Sequence, residues 1–185
     1  SKYLFFYLLI SIDLLFIYLI FIKKERKFDF KYLITLEVFL IILIPHLLWL
    51  NNNNFITITY GLARAGLDQT NIFDHIIFPF IFLFKQIGIL IPFFIMSWVL
   101  VKKIEFKMNL KDKRLIFLLA INILPIILIF LTSAISGSKI KTMWMTPFYL
   151  FFGTLLVFLL QKEINFKKLK PFMIGFIFFF FLSPA

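Results

Sequence analysis

Residues Ile76 to Val101 read IIFPFIFLFKQIGILIPFFIMSWVLV, an apolar stretch whose only charge is Lys85. It is longer than the roughly 20 residues a helix needs to cross the hydrocarbon core of a bilayer. The run is continuously apolar, whereas a strand of a membrane barrel alternates apolar and polar positions. In lipid, a helix is then the structure that satisfies its own backbone groups. Working outward, residues 3–22, 32–50, 115–134 and 143–160 repeat the pattern, and a shorter block occupies 171–182. The expectation is an all-α fold: a polytopic transmembrane helix bundle of about six helices, one domain over residues 1–185, entered from the outside.

Composition agrees. The chain has 185 residues, 62% hydrophobic and 21% aromatic, with 29 Phe, no Cys and 16% charged residues. A soluble domain carries roughly a quarter of its residues as charges. Disorder and a disulfide-stapled secreted module are excluded as well. The net charge of +11 would raise nucleic acid as a partner of a soluble protein. Here the basic residues sit in short clusters between apolar blocks, so nucleic acid is not expected. The first block is too long for the apolar region of a signal peptide and has no small-residue cleavage site before Lys23, so it reads as a span. The start at Ser1 and the short last block read as the ends of a segment of a larger membrane protein.

The clusters also orient the chain. Lys23, Lys24, Arg26, Lys27 and Lys31 follow the first block; Lys102, Lys103, Lys107, Lys111, Lys113 and Arg114 follow the third; Lys162, Lys167, Lys168 and Lys170 follow the fifth. The alternate connections hold only Lys2, Arg64, Lys139 and Lys141. Fifteen against four is a strong positive-inside bias. It places 51–75 and 135–142 outside as loops, the periplasm if the membrane is a bacterial inner membrane. The inner clusters read as topology signals and contacts to anionic membrane lipids. The excess of Lys over Arg, with abundant Phe, Ile and Asn, fits an AT-rich genome and says nothing of activity.

Candidate functional residues lie on the outer side. The 51–75 connection carries Tyr60, Arg64, Asp68, Asp74 and His75, and is preceded by Pro45, His46 and Trp49. His46 is placed to face an aqueous cavity, and Trp49 to anchor at the interface. The second connection reads Ser136-Gly-Ser-Lys-Ile-Lys-Thr-Met-Trp144. Lys139 and Lys141 suit either an ordinary solvated loop or a phosphate held by point charges and hydroxyls. Their place on the outer side, against the topology rule, favours a ligand. Asp13, Glu37, Lys85 and Asn122 interrupt apolar blocks, and an ionisable group at a helix centre costs about 3 kcal/mol, so each is a candidate site or a residue paired with a neighbouring helix. A helix starting at Pro79 would put Lys85 about 9 Å below its outer end, within reach of the outer cavity, with Gln86 and Gly88 beside it.

Pro45-His-Leu-Leu-Trp-Leu-Asn51 with Tyr60 and Arg64, Gln86-x-Gly88 with Pro92, and Lys139-x-Lys141-x-x-Trp144-x-x-Pro147 follow one another along nearly the whole chain. In this order they resemble the later membrane helices of the bacterial protein O-mannosyltransferase and aminoarabinose lipid A transferase family, polytopic GT-C enzymes of glycosyltransferase family 39 or its relatives. The resemblance implies a membrane glycosyltransferase that passes a sugar from a polyprenyl-phosphate donor to a lipid, glycan or protein acceptor on the periplasmic face. It implies no cofactor and no metal from this segment, and an acidic catalytic loop upstream of Ser1, so that no catalytic residue is assigned here. Arg64, Lys85, Lys139 and Lys141 would bind the donor phosphate, with His46, Tyr60, His75 and Trp144 lining the acceptor side or the cavity. The family often carries His immediately before the Trp, where this chain has Met143. The alternative is a polytopic transporter or flippase subunit, with Asp13, Glu37 and Lys85 as a relay and Pro45, Pro92 and Pro125 marking broken helices.

Overall fold

The computed structural model describes residues 4–24, 29–66, 71–102 and 108–182. Tyr3, Asp68 and the basic residues Lys2, Arg26, Lys27, Lys103 and Lys107 named above lie outside them. Among the described residues the chain is helical, with no strand. Its α-helices are α1 Phe5–Ile17, α2 Lys31–Asn52, α3 Ile56–Arg64, α4 Asp74–Leu100, α5 Lys113–Asn122, α6 Leu124–Ser136, α7 Phe152–Leu160 and α8 Leu169–Leu182. Among the described residues three spans are long and apolar enough to cross a membrane: α1 with the π-turn Tyr18–Ile22, α4, and α5 with α6; a fourth is counted if Glu37–Asn52 and α3 form one broken span.

Packing is organised about α4. It lies against α6 and α8, while α1 packs on α5 and α6, and α5 on α7. Phe82, Ile129, Met145 and Phe148 form one buried cluster, and Leu115, Leu118, Ile121 and Leu155 a second. Ser11 and Leu15 turn the same side of α1 inward. α2 meets the rest through Phe39, edge-on to Phe6 at 6.4 Å. Most large apolar side chains remain exposed, among them Ile41, Ile42, Phe84, Trp98 and Phe181. A soluble monomer rarely shows apolar patches beyond a few hundred Å², so these surfaces fit a membrane protein.

The structure revises several expected boundaries. The stretch 51–75 is not a plain loop: α2 runs to Asn52, and α3 follows after a bend of 79°. Asn53 Nδ2 caps α2 by donating to the Trp49 carbonyl at 2.8 Å. Asn54 and Phe55 turn the chain with left-handed φ values of 49° and 54°. Asn adopts that region readily, whereas for Phe it costs roughly 1–2 kcal/mol. α4 begins at Asp74, so Pro79 lies inside the helix instead of opening it. A turn leads into it: the Asp74 carboxylate accepts the Asn71 N–H at 2.8 Å and the Asp74 N–H donates to the Asn71 carbonyl at 2.9 Å, and the Asp74 charge sits in the first turn of the helix, where a negative charge is favourable. The block 115–134 begins at Lys113, runs to Ser136 and breaks at Ile123, because Pro125 supplies no N–H to the preceding turn. The block 143–160 starts as a 3₁₀ helix, Thr142–Tyr149, and becomes α-helical at Phe152. Pro147 disfavours the α conformation for Thr146 before it.

Candidate functional site

Contacts along α4 and α6 set the depth of the site. His75 Nδ1 lies 2.9 Å from the Ala134 carbonyl, and Phe80 packs edge-on to Phe130 at 5.9 Å. The two helices are therefore antiparallel, and Ser136 stands level with the start of α4. Gly137 then takes a left-handed φ of 66° and reverses the chain, the usual role of glycine just past a helix end. Beyond it the chain goes back down beside α4. Lys139 Nζ sits 5.9 Å from the centre of the Phe78 ring, Ile140 packs on the Phe82 cluster, and the Tyr149 hydroxyl donates to Gln86 Oε1. The expected outer loop thus descends between the helices.

This descending segment is held by hydroxyls. Ser133 Oγ donates to the Ser138 carbonyl at 2.7 Å, and Ser136 Oγ donates to the Thr132 carbonyl at 2.7 Å while lying 2.8 Å from Ser138 Oγ. Ser133 and Ser138 are buried. A main-chain bond adds the third wall: the Lys139 N–H donates to the Ala65 carbonyl at 3.0 Å, joining the segment to the end of α3. Arg64, the last residue of α3, is thereby brought beside Lys139.

The result is a cavity of about 500 Å³ lined by Arg64, Lys85, Lys139, Ile140, Lys141 and Thr142. The four cations come from three segments far apart in sequence, and among the described residues no carboxylate lines the cavity. Lys85 reaches it although α4 starts five residues earlier than Pro79, which puts it about 16 Å from the helix end instead of 9 Å. The long lysine stem and the descent of 137–142 close that difference. Such an arrangement is electrostatically suited to an anion: at 4 Å a pair of opposite charges gains about 1 kcal/mol in water and about 4 kcal/mol near a protein surface.

The other expected residues are placed differently. Tyr60 is not in the lining; its hydroxyl accepts from Arg64 NH1 at 3.1 Å and its ring lies 5.8 Å from the guanidinium, so it orients Arg64. His75 ties α4 to α6. His46 stacks on Trp49 at 6.1 Å. Trp144 is half-buried in the 3₁₀ helix, its N–H bonded to the Lys141 carbonyl at 3.0 Å. Thr142, the only hydroxyl among the described lining residues, and the Tyr149–Gln86 pair were not expected as site residues. Asp13 and Glu37 stand on exposed faces of α1 and α2, away from this cavity. Among the described residues no three His, Cys, Asp or Glu side chains converge to hold a metal. Comparison of the chain with protein-family models, with curated proteins and with solved structures finds no match.

Proposed function

We propose that the protein is a multi-pass glycosyltransferase of the bacterial inner membrane that transfers a sugar from a polyprenyl-phosphate donor to a lipid, glycan or protein acceptor on the periplasmic face. In this reading Arg64, Lys85, Lys139 and Lys141 hold the phosphate end of the donor. One observation carries it: four cations, with no carboxylate among the described lining residues, meet in a cavity cut into a bundle of apolar helices. A phosphate that arrives on a lipid is the anion such a place suits. On α4, Gly88, Ile89 and Pro92 follow Lys85 on one face at helical spacing, and Gly88 and Ile89 are exposed. An apolar chain lying along them would leave its phosphate at Lys85. The charge split of the connections supports the inner-membrane orientation.

The chemistry follows from where charge develops. When the acceptor oxygen takes the anomeric carbon, the bond to the phosphate oxygen breaks and its electron pair stays on the phosphate. Fixed cations at that oxygen stabilise the transition state more than the ground state. Each such contact is worth about 1.5–3 kcal/mol, or on the order of 10 to 100-fold in rate. Transfer from a defined polyprenyl-phosphate sugar by the Lys139→Ala, Lys141→Ala double variant is therefore expected to fall at least tenfold, with Lys162→Ala as the unaffected control. Full transfer by the double variant would reject the phosphate role.

The alternative, a transporter or flippase subunit, is favoured by the broken span at 53–55 and the break at Ile123, since interrupted helices frame the sites of many transporters. Movement of a polyprenyl phosphate across a vesicle bilayer by the reconstituted protein, with no sugar transferred, would select it.

A further inference from the structure

The exposed flank of α3 has the composition that lipid, not water, would select. Phe55 and the α3 residues Ile56, Thr59, Tyr60, Leu62 and Ala63 are all exposed. They fall in two adjacent stripes, 55/59/62 and 56/60/63, at the spacing of one helix side. Ile56 is 58% exposed and Leu62 47%. The stripe formed by Thr57, Gly61 and Arg64 turns the other way: Thr57 and Gly61 are half-buried, and Arg64 lines the cavity. Both side-chain oxygens on the exposed flank have partners within the helix and its cap. Thr59 Oγ1 lies 3.1 Å from the Ile56 carbonyl and 3.3 Å from the Phe55 carbonyl, the back-bonding by which a threonine satisfies itself in a membrane helix. The Tyr60 hydroxyl takes its hydrogen bond from the Arg64 guanidinium.

Geometry sets the depth of that flank. α2 has 22 residues, which rise about 33 Å, enough to cross a hydrocarbon core of about 30 Å without help from α3. α3 leaves α2 at 79°, so with α2 upright it runs nearly in the plane of the bilayer. Both ends of α3 are held at the outer level. Trp49, exposed one turn before the end of α2, stands where an aromatic ring anchors at the interface. At the other end the Ala65 carbonyl holds the Lys139 N–H, two residues past the Gly137 turn that closes α6. The flank also continues the exposed apolar wall of α2 at Leu47 and Leu48. We propose that α3 is an interfacial helix whose partner is the outer leaflet itself. Phe55, Ile56, Leu62 and Ala63 rest at the boundary of head groups and acyl chains, while Thr57, Gly61 and Arg64 face the cavity. α3 is then a wall one helix thick between lipid and Arg64, whether the cavity serves transfer or transport.

The chain has no cysteine, so single variants Ile56→Cys, Thr57→Cys, Thr59→Cys, Gly61→Cys, Leu62→Cys and Ala63→Cys each carry one nitroxide label. At Gly61 an added Cβ meets nothing within 4 Å, which leaves room for the label. The full protein is reconstituted in vesicles of phosphatidylethanolamine and phosphatidylglycerol. Collision of each label with oxygen, which concentrates in lipid, is compared with collision with a water-soluble nickel chelate. Oxygen is expected to dominate at 56, 59, 62 and 63 and to lose that excess at 57 and 61, an oscillation with the helical period of about 3.6 residues. The most immersed labels are expected about 5–10 Å into the boundary. Should the Gly61 variant fail to fold, Thr57 carries the comparison alone. Nickel dominant at every position would put α3 in water, and oxygen dominant at every position would put it wholly inside the hydrocarbon. Low collision with both at 56 and 62 would mean that protein covers the flank. Each of these three results overturns the proposal.

Discussion

Gln86 shows how much a single buried amide can constrain. It is 3% exposed; its Oε1 accepts the Tyr149 hydroxyl, while its Nε2 has no hydrogen-bond partner among the described residues. Tyr149→Phe strands the oxygen as well, and a buried polar atom left unpaired costs about 1–3 kcal/mol. The single variant is expected to lose that much in a denaturation series in detergent, and the Gln86→Leu, Tyr149→Phe double variant to recover most of it, because both polar ends leave together. A double variant no more stable than Tyr149→Phe would show that packing, not the hydrogen bond, holds the pair. Gly137 is a second case. At φ 66° a Cβ is strained, so Gly137→Ala is expected to cost about 1 kcal/mol. It is also expected to weaken anion binding, since Lys139 and Lys141 follow directly. Gln86 and the lysines stood out in the sequence as polar groups in apolar surroundings. Tyr149 did not, because what selects it is a contact with a residue 63 positions away.

At the level of elements, the long apolar blocks were legible because hydrophobic length depends on composition alone, and α4 and the α5–α6 span lie where those blocks lie. Starts, stops and bends were less so. The turn residues Asn71 and Asp74 are present in the sequence, but so is Pro79, whose fixed φ also suits a first helical position, and composition does not choose between them. Asp74→Ala tests which residue opens α4: it removes the acceptor for the Asn71 N–H and a negative charge at the positive end of the helix. The expected loss is about 1 kcal/mol in the same denaturation series, and no loss would return the start of the helix to Pro79. α3 was hidden by the Asn51–Asn54 run, which reads as loop by composition. The run instead supplies the cap on α2 and one of the two left-handed residues of the bend. The descent of 137–149 was not legible at all, since the hydroxyl and main-chain bonds that fix it join residues whose spacing carries no periodic signal.

For the whole molecule, the charge split predicts orientation. A reporter fused after Gly66 or Ser138 is expected outside the membrane and one after Lys111 or Asn165 inside; inward labelling at Gly66 would invert the assignment of the cavity. Two main-chain joints hold this body together at opposite ends. One is the Lys139 N–H to the Ala65 carbonyl beside the cavity. The other is the antiparallel bridge of Val101 with Ile164, where the Lys102 N–H meets the Glu163 carbonyl at 3.1 Å and the Asn165 N–H meets the Leu100 carbonyl at 2.8 Å. Neither joint depends on which side chain the residue carries, so long as it is not proline at a donating position. The outward walls of phenylalanine, leucine and isoleucine are therefore at liberty to exchange with one another under mutational drift. The composition of this chain can follow the base content of its genome while the spacing between Arg64 and Lys139 is inherited unchanged.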